Sequence, residues 1–422
     1  MNYNDEAVAI RRKLHEMPEE GWTEFETTWT VVETLKSWGY NVKCGRAVID
    51  PENALGRDPA LVAREEKRAL ADGVPQAFLD RLEGYTGAVA ELITGRPGPV
   101  TALRFDMDCV LVNESTDASH VPAKEGFASH RAGLMHACGH DAHTASGLAL
   151  AHWAMDHKEE LCGTLRFIFQ PAEEGTRGAA AMAAAGVVDD ADFFFGAHVG
   201  VFCHSGEIGI IRNGFLATTK IDISFTGTPS HAGAAPEAGR SALSAAAACT
   251  LQLEGITRHS GGATRVAVGT LHAGEGRNVT PTHAMMQVEV RGETGAINDW
   301  MVSRLEHIVK GVAESYEVQG SWVKRGEATS MTADAEAVAV LEKAAQNAHL
   351  RVTMFDRCGG SEDCSILLRR AQAHGAKGAF FLWGCEHHGH HRPDFDIQDT
   401  ENLPHALAIL SNVVRETNGL AH

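Results

Sequence analysis

The sequence predicts an α/β fold, a largely parallel sheet covered by helices and interrupted by a smaller α+β unit. Three observations lead there. Short continuous apolar runs, "GAVAELI", "VTALRF", "GTLRFIF" and "DFFFGA", alternate with stretches of helical periodicity, the pattern of strands buried on both faces. From about residue 216 the pattern changes to apolar/polar alternation in "KIDISFTG", "TRVAVGTLHAG" and "AMMQVEVRGE", with helices expected at 239–259 and 296–316, a βαββαβ-like order. After "SWVKRGEA" the first pattern returns. A chain of 422 residues exceeds the usual size of one core, so the expected organisation is a domain in two parts, 1–215 and 328–422, with 216–327 inserted into it.

The elements follow in order. The opening "MNYNDEAVAIRRKLHEMPEE" reads as a polar amphipathic helix and lacks the apolar centre of a signal peptide. Residues 23–38, "TEFETTWTVVETLKSW", space apolar side chains for a second helix that stops at Gly39, a residue at ease in the left-handed conformation of a helix end. From Arg46 to Glu83 the chain is rich in charge and reads as a surface insertion with two short helices, around "ALVAREEKRALADG" and "QAFLDRLEG". The buried strand runs come next, separated by helices at 142–156 and 176–184. The last part offers a helix at 334–347, the strand "GAFFLWG" and a closing helix near 401–415.

Composition removes several classes of function. A formal charge of −18 and a pI near 5.7 repel phosphate backbones and anionic lipid, so neither nucleic acid nor a membrane surface is expected as a partner. An anionic substrate would need local arginines against that field. No apolar run reaches the ~20 residues of a membrane span. The nine cysteines are odd in number and form no CxxC pair, so neither a disulfide framework nor a zinc ribbon is indicated, and reduced thiols in a cytoplasm fit best.

Chemistry gathers at the predicted strand ends. Ligands of open α/β sheets bind beyond the carboxyl ends of the strands, where the loops face one crevice. Here "VTALRF" runs into Asp106-Met107-Asp108, "TLRFIFQP" into Glu173-Glu174, and "DFFFGA" into His198. The run "LMHACGHDAH", 134–143, brings His136, Cys138, His140, Asp141 and His143 ahead of a helix, and "EHHGHHRPDFD" follows the late strand. Taken singly, each has an ordinary explanation: a hydrogen-bonded histidine, a buried cysteine, a solvated carboxylate pair. Taken together, they read as parts of one metal site. Cys138 and His140 flank Gly139, whose missing side chain lets the backbone turn tightly enough to aim both at one ion, and the donor types suit zinc or another borderline divalent metal. Adjacent carboxylates in an extended segment point in different directions, so one of Glu173 and Glu174 can bind metal while its neighbour acts as general base.

These motifs resemble the M20 metallopeptidase and amidohydrolase family, in the branch of aminobenzoyl-glutamate and auxin-conjugate hydrolases. The carriers are "ALRFDMD", "GLMHACGHDAHTA", "IFQPAEEGTRGA", "GTPSHAGAAPEAGRSAL", "GEGRNVTP", "GGSEDCS" and "HHRPDFD", in the family's order and over nearly the whole chain. The resemblance implies a zinc-peptidase-like catalytic domain with a mainly parallel mixed sheet, carrying an inserted ferredoxin-like lid that also serves dimerisation. It implies two divalent metal ions, Mn2+ or Zn2+, with ligands at Cys138, His140, Glu174, His198 and His391 and the general acid/base at Glu173. Asp108 falls on an aspartate that orients a metal-bound group, and Asp106 falls where relatives outside this branch place a histidine ligand. His231 falls on the lid histidine that reaches the opposite protomer's active site and holds the oxyanion. Asn278 falls on a lid position that contacts substrate. Arg277 and Arg291 are the candidates for gripping a substrate carboxylate, since a guanidinium binds one bidentately. His391 is chosen over His390 because the family spaces its last ligand four residues before a Phe-Asp pair, here Phe395-Asp396. The chain departs from the common "FDFDE" ending and reads "FDIQD".

The expected reaction is hydrolysis of the amide bond in a small N-acyl or N-aroyl amino acid, the amino acid an acidic one such as glutamate. Glu173 would deprotonate a metal-activated water and later protonate the departing amine. The resemblance implies a homodimer through the lid. A heteromer with a related B subunit is the alternative assembly, and a carboxypeptidase or dipeptidase the alternative activity.

Overall fold

In the computed structural model, which describes residues 2–420, the chain divides into two compact units. One comprises the residues up to Gly214, then Met331–Cys358 and the residues from Asp363 onward; the other comprises Phe215–Ser330 with Gly359–Glu362.

The first unit opens with helix α1 (Tyr3–Glu16), capped by the Asn2 side chain, which accepts the Asp5 amide. It buries Ala7, Arg11, Leu14 and His15, spaced three and four apart on one face, so a polar-looking helix carries charged groups inward. Helix α2 (Phe25–Ser37) buries Phe25, Val31, Val32 and Leu35 and ends ahead of Gly39 at φ +89°. Strand β1 (Asn41–Cys44) and helices α3 (Pro59–Ala71) and α4 (Gln76–Leu82) follow. The expected surface insertion is tied down: Arg68 of α3 lies 2.6 Å from Glu19 and also pairs with Glu26, while Phe78, Leu79 and Leu82 of α4 are buried.

Next come β2 (Ala88–Ile93), β3 (Val100–Asp106), the short α5 (Val121–Glu125), α6 (His140–Asp156), β4 (Thr164–Gln170), α7 (Ala179–Ala184), β5 (Phe193–Val199), β6 (Glu207–Ile211) and β7 (Asn213–Gly214). Helix α6 starts two residues earlier than the periodicity predicts, at His140, directly after Gly139 at φ +88°. It is buried on nearly every side from His140 to Ala154, which leaves little amphipathic signal to mark its start.

The second unit is β8 (Ala217–Thr226), α8 (Ala242–Glu254), β9 (Thr264–Ala273), β10 (His283–Gly292), α9 (Gly295–Ser315) and β11 (Gln319–Ala328). Its sheet is antiparallel in the order β11-β8-β10-β9, the ferredoxin-like arrangement. Ile221, Ile223 and Phe225 alternate inward from β8 and meet Met301, Leu305, Val309 and Val312, which recur at helical spacing along α9.

The chain then returns to the first unit through β12 (Met331–Thr332), α10 (Ala335–Asn347), β13 (Arg351–Phe355), α11 (Cys364–Ala373), β14 (Lys377–Trp383) and α12 (Asp399–Asn418). The main sheet has the order β1-β2-β4-β3-β5-β14-β6-β13. Its four central strands β4, β3, β5 and β14 are mutually parallel, whereas β2 and β6 run antiparallel to their central neighbours. Phe167, Phe169, Phe194, Phe195, Phe380 and Phe381 fill the core on these strands. The parallel centre places Asp106, Gln170, Val199 and Trp383, the last residues of four adjacent strands, along one edge of the sheet.

Candidate metal centre

The loops leaving that edge bring five of the expected ligands together in two sets that share Cys138. Donor atoms of Cys138, His140 and His198 lie within 4.8 Å of one another, as do those of Cys138, Glu174 and His391. Cys138 Sγ is 3.4 Å from His198 Nε2, and His391 Nε2 is 3.2 Å from Glu174 Oε1. A third set, His140, Glu173 and Glu174, joins the two. His390 faces elsewhere: its Nε2 donates to the Val199 carbonyl at 3.1 Å.

Glycine decides the local backbone at the first loop. A Cβ on Gly139 would lie 2.5 Å from Val199 Cγ1, and its φ of +88° suits no other residue as well. Glu173 and Glu174 do not sit in an extended segment as the sequence reading assumes. They lie in a tight turn in which Ala172, Gly175 and Thr176 all have positive φ, and this turn, rather than strand alternation, separates the two carboxylates. Asp108 holds the turn. It is fully buried, its Oδ1 accepting the Glu173 amide at 3.0 Å and its Oδ2 the Glu174 amide at 2.9 Å. Behind the turn, buried Glu24 accepts the Ala172 amide at 2.7 Å and lies 2.5 Å from the Thr86 hydroxyl.

The imidazoles are oriented by their second nitrogens. His140 Nδ1 lies 3.3 Å from Asp108 Oδ1, which turns its buried Nε2 toward Asp106 Oδ2 at 3.8 Å and Glu173 Oε2 at 4.0 Å, beyond hydrogen-bond reach of either. His198 Nδ1 donates to the Val199 carbonyl at 2.8 Å, leaving the Nε2 lone pair toward Cys138. Asp106, His140 and His143 also lie close together, but within this group Asp106 and His143 already hold partners. His143 Nδ1 hydrogen-bonds Asp106, its Nε2 accepts the Val199 amide at 2.9 Å, and Asp106 is paired with Arg104 at 2.5 Å. The group therefore braces β3 against the end of β5. Only the position of His143, three residues after His140 in the sequence, hints at this role.

Charge follows from burial. Burial pushes the Cys138 thiol well above its ordinary value. Burial, and then His143, pull His198 well below the histidine range, so it stays neutral. For His140 burial works against the charge, yet Asp106 outweighs it and holds its pKa well above the ordinary value. A cation in the site would displace that proton. Burial also opposes the charge of Glu174, and His391 outweighs it, so this carboxyl titrates below its ordinary range.

Four expected site residues belong to the second unit. His231 is exposed, and its Nδ1 accepts the amides of Gly233 and Ala234 at 3.2 and 3.1 Å, so the ring proton sits on Nε2. Asn278 is exposed beside it, its carbonyl accepting the Ala232 amide at 3.1 Å. Arg277 is exposed and makes no ion pair among the described residues, whereas Arg291 lies 3.0 Å from Glu289 on its own strand.

An α/β unit with this donor cluster at its sheet edge, interrupted by a ferredoxin-like unit, has the make-up of a metallohydrolase, and the chain belongs to peptidase family M20/M25/M40, whose model matches residues 102–416. It is 43% identical over 403 residues to a Haemophilus influenzae homolog of the A subunit of p-aminobenzoyl-glutamate hydrolase, covering 94% of this chain and 95% of that one. It is 44% identical over 400 residues to the indole-3-acetyl-aspartic acid hydrolase of Enterobacter agglomerans, covering 93% and 92%. Among solved structures it is similar to a Bacillus subtilis dinuclear metal-binding peptidase of the M20 family, with a TM-score of 0.67, 25% identity, and coverage of 98% of this chain and 99% of that one.

Proposed function

We propose that the chain is a metal-dependent amidohydrolase that cleaves the amide bond of small N-acyl or N-aroyl amino acids, with p-aminobenzoyl-glutamate or indole-3-acetyl-aspartate as the type of substrate. One observation carries this reading: two donor sets that share Cys138 meet beside the Glu173 carboxylate in a chain of this peptidase family. The two curated relatives differ in the acyl group they are named for, yet both names place an acidic amino acid on the other side of the amide. The acidic amino acid is therefore taken as the constant part.

The donors suit two divalent ions, Mn2+ or Zn2+, held by Cys138, His140, Glu174, His198 and His391: a thiol, imidazole lone pairs and a carboxylate, with the histidines of the first set oriented by hydrogen bonds on their far nitrogens. When bound, such ions supply Lewis acidity to the amide carbonyl and make water acidic at neutral pH. The chain's own groups do the rest. Glu173 takes the proton of the attacking water and hands it to the departing nitrogen. Asp108 fixes where that carboxylate stands, through the Glu173 amide. His231, with its proton set on Nε2, is assigned to the oxyanion. Arg277, with Asn278 beside it, is assigned to the substrate carboxylate, which it would attract against a net charge of −18. Arg291 is the weaker candidate because Glu289 shares its charge.

We assign a homodimer through the inserted unit, supported by the edge position of β9, on which alternate side chains are exposed, and by Leu251 of α8 at 74% exposure. A related partner chain is the second reading, supported by a relative named as a homolog of the A subunit of p-aminobenzoyl-glutamate hydrolase. Nine free cysteines support a reducing compartment, the cytoplasm, and no described helix is long and apolar enough to cross a membrane.

The test is direct. Chain stripped of metal and reloaded with Mn2+ or Zn2+ is assayed for release of p-aminobenzoate from p-aminobenzoyl-glutamate, beside free-amino dipeptides. Turnover of the blocked conjugate alone supports the proposal, turnover of the dipeptides alone makes it a peptidase, and turnover only after addition of a related chain supports the heteromer.

A further inference from the structure

Beneath the loop of Cys138 and His140 lies a buried charge cluster that the proposed reaction does not use. Arg11 of α1 is fully buried; its Nε donates to Asp141 Oδ2 at 2.8 Å, its Nη1 to Asp399 Oδ2 at 3.3 Å, and its Nη2 lies 3.0 Å from Asp396 Oδ1. His15, one turn along, lies between Asp141 Oδ2 at 2.7 Å and Glu114 Oε1 at 2.8 Å. Asp141 directly follows His140, and its Oδ1 accepts the Ala142 amide at 2.9 Å, fixing the first turn of α6. Asp396 lies in the loop that carries His391, whose amide donates to the Ala137 carbonyl at 2.7 Å. Asp399 only begins α12. A single guanidinium thus grips two loops that are distant in sequence and that supply three of the five expected ligands, Cys138, His140 and His391. Its fork of fixed donors suits such a task. Stability alone explains it poorly, because desolvating a charge cluster of this kind cancels most of what its attraction contributes.

We propose that Arg11 is a positioning residue for metal binding, setting through Asp141 and Asp396 the separation between the loop of Cys138 and His140 and the loop of His391. The proposal rests on the ligand assignment above. It makes the N-terminal helix, which supplies none of the expected ligands, a determinant of metal affinity.

Arg11→Ala would take a partner from three buried carboxylates at once and can fail to fold, so the informative pair is Asp396→Ala and Asp399→Ala. Each removes one carboxylate from Arg11, and Asp399 is the more heavily paired, since Arg12 also donates to it at 2.8 and 3.0 Å. Full-length chain is stripped with chelator and titrated with Mn2+ by calorimetry, and its unfolding temperature is recorded alongside. Asp396→Ala is expected to weaken Mn2+ binding about 10- to 100-fold, Asp396→Asn less, and Asp399→Ala less than about threefold although it lowers the unfolding temperature at least as much. Unchanged binding in Asp396→Ala, or a loss that tracks stability equally in both variants, overturns the proposal. Glu174→Gln in the same titration separates the two levels. If it leaves Mn2+ binding intact, the ligand assignment is wrong and the proposal falls with it; if it abolishes binding while Asp396→Ala has no effect, only the positioning role fails.

Discussion

Glu24 offers a sharp test of how the turn bearing Glu173 is supported. Its carboxyl is fully buried against the Ala172 amide and the Thr86 hydroxyl, and burial, then the charge of Asp108, push its pKa from 4.5 up to about 8. A carboxyl that holds its proton more tightly in the folded chain than in the unfolded one contributes stability that is complete below the unfolded value and is lost as pH rises through the folded one. The window here runs from about 4.5 to about 8. At about 1.4 kcal/mol for each tenfold change in proton affinity, the loss across it is on the order of 5 kcal/mol as an upper bound. Glu24→Gln replaces the acid by a group that cannot ionise, keeps an oxygen for the Ala172 amide and turns an NH2 toward Thr86. In chelated protein, where no metal charge interferes, the variant should match the parent in urea unfolding at pH 5 and exceed it at pH 9 by roughly 2–5 kcal/mol. Equal pH dependence in the two proteins, or a variant less stable at pH 9, would refute the account of Glu24 as a strained buried acid.

Three further outcomes follow from the same geometry. Glu173→Gln should lower kcat by about 10²- to 10⁴-fold while Mn2+ still binds in calorimetry, and full turnover in that variant would remove Glu173 from proton transfer. Gly139→Ala puts a methyl 2.5 Å from Val199 Cγ1 at a φ of +88°, so it should destabilise the chain by about 1–3 kcal/mol and lose metal; a variant that binds Mn2+ normally contradicts the described loop. Leu251→Glu, on an exposed face of α8, should convert the proposed dimer to monomer in light scattering, whereas a dimeric mass in both proteins places the interface elsewhere and a monomeric parent removes the dimer.

The legible parts of the molecule are those in which local pattern and final environment agree. β3, β4, β5 and β14 are apolar on both faces, and they stand side by side at the centre of the sheet, so continuous runs such as "GTLRFIF" announce them. β13 is an edge strand whose first three residues are exposed, so "RVTMF" lacks the continuous apolar run that announces the central strands. The spacing around Gly139 and the paired glutamates are readable because metal-binding types cluster in sequence there. The supports are not readable. Arg11 and Glu24 look like surface charges along the chain, and only the fold buries them and supplies partners from far away. The turn at Ala172–Thr176 reads as extended because its unusual backbone is imposed by Asp108 and Glu24, neither of which is local.

The position of β14 in the main sheet bears on how the chain matures. This strand, residues 377–383, lies between β5 and β6, which are neighbours in sequence and are separated by it in space. During synthesis β5 and β6 leave the ribosome together and must wait, β5 unpaired on one side and β6 on both because β13 also comes later, while the whole ferredoxin-like unit emerges and folds on its own core. Late insertion of a central strand is slow, and a waiting sheet edge is a template for aggregation. His391 arrives just behind β14, so the set of Cys138, Glu174 and His391 is completed only when the sheet closes. An ion held by that set would be captured after the central sheet is assembled, and chaperone dependence and metal loading should rise and fall together in this protein.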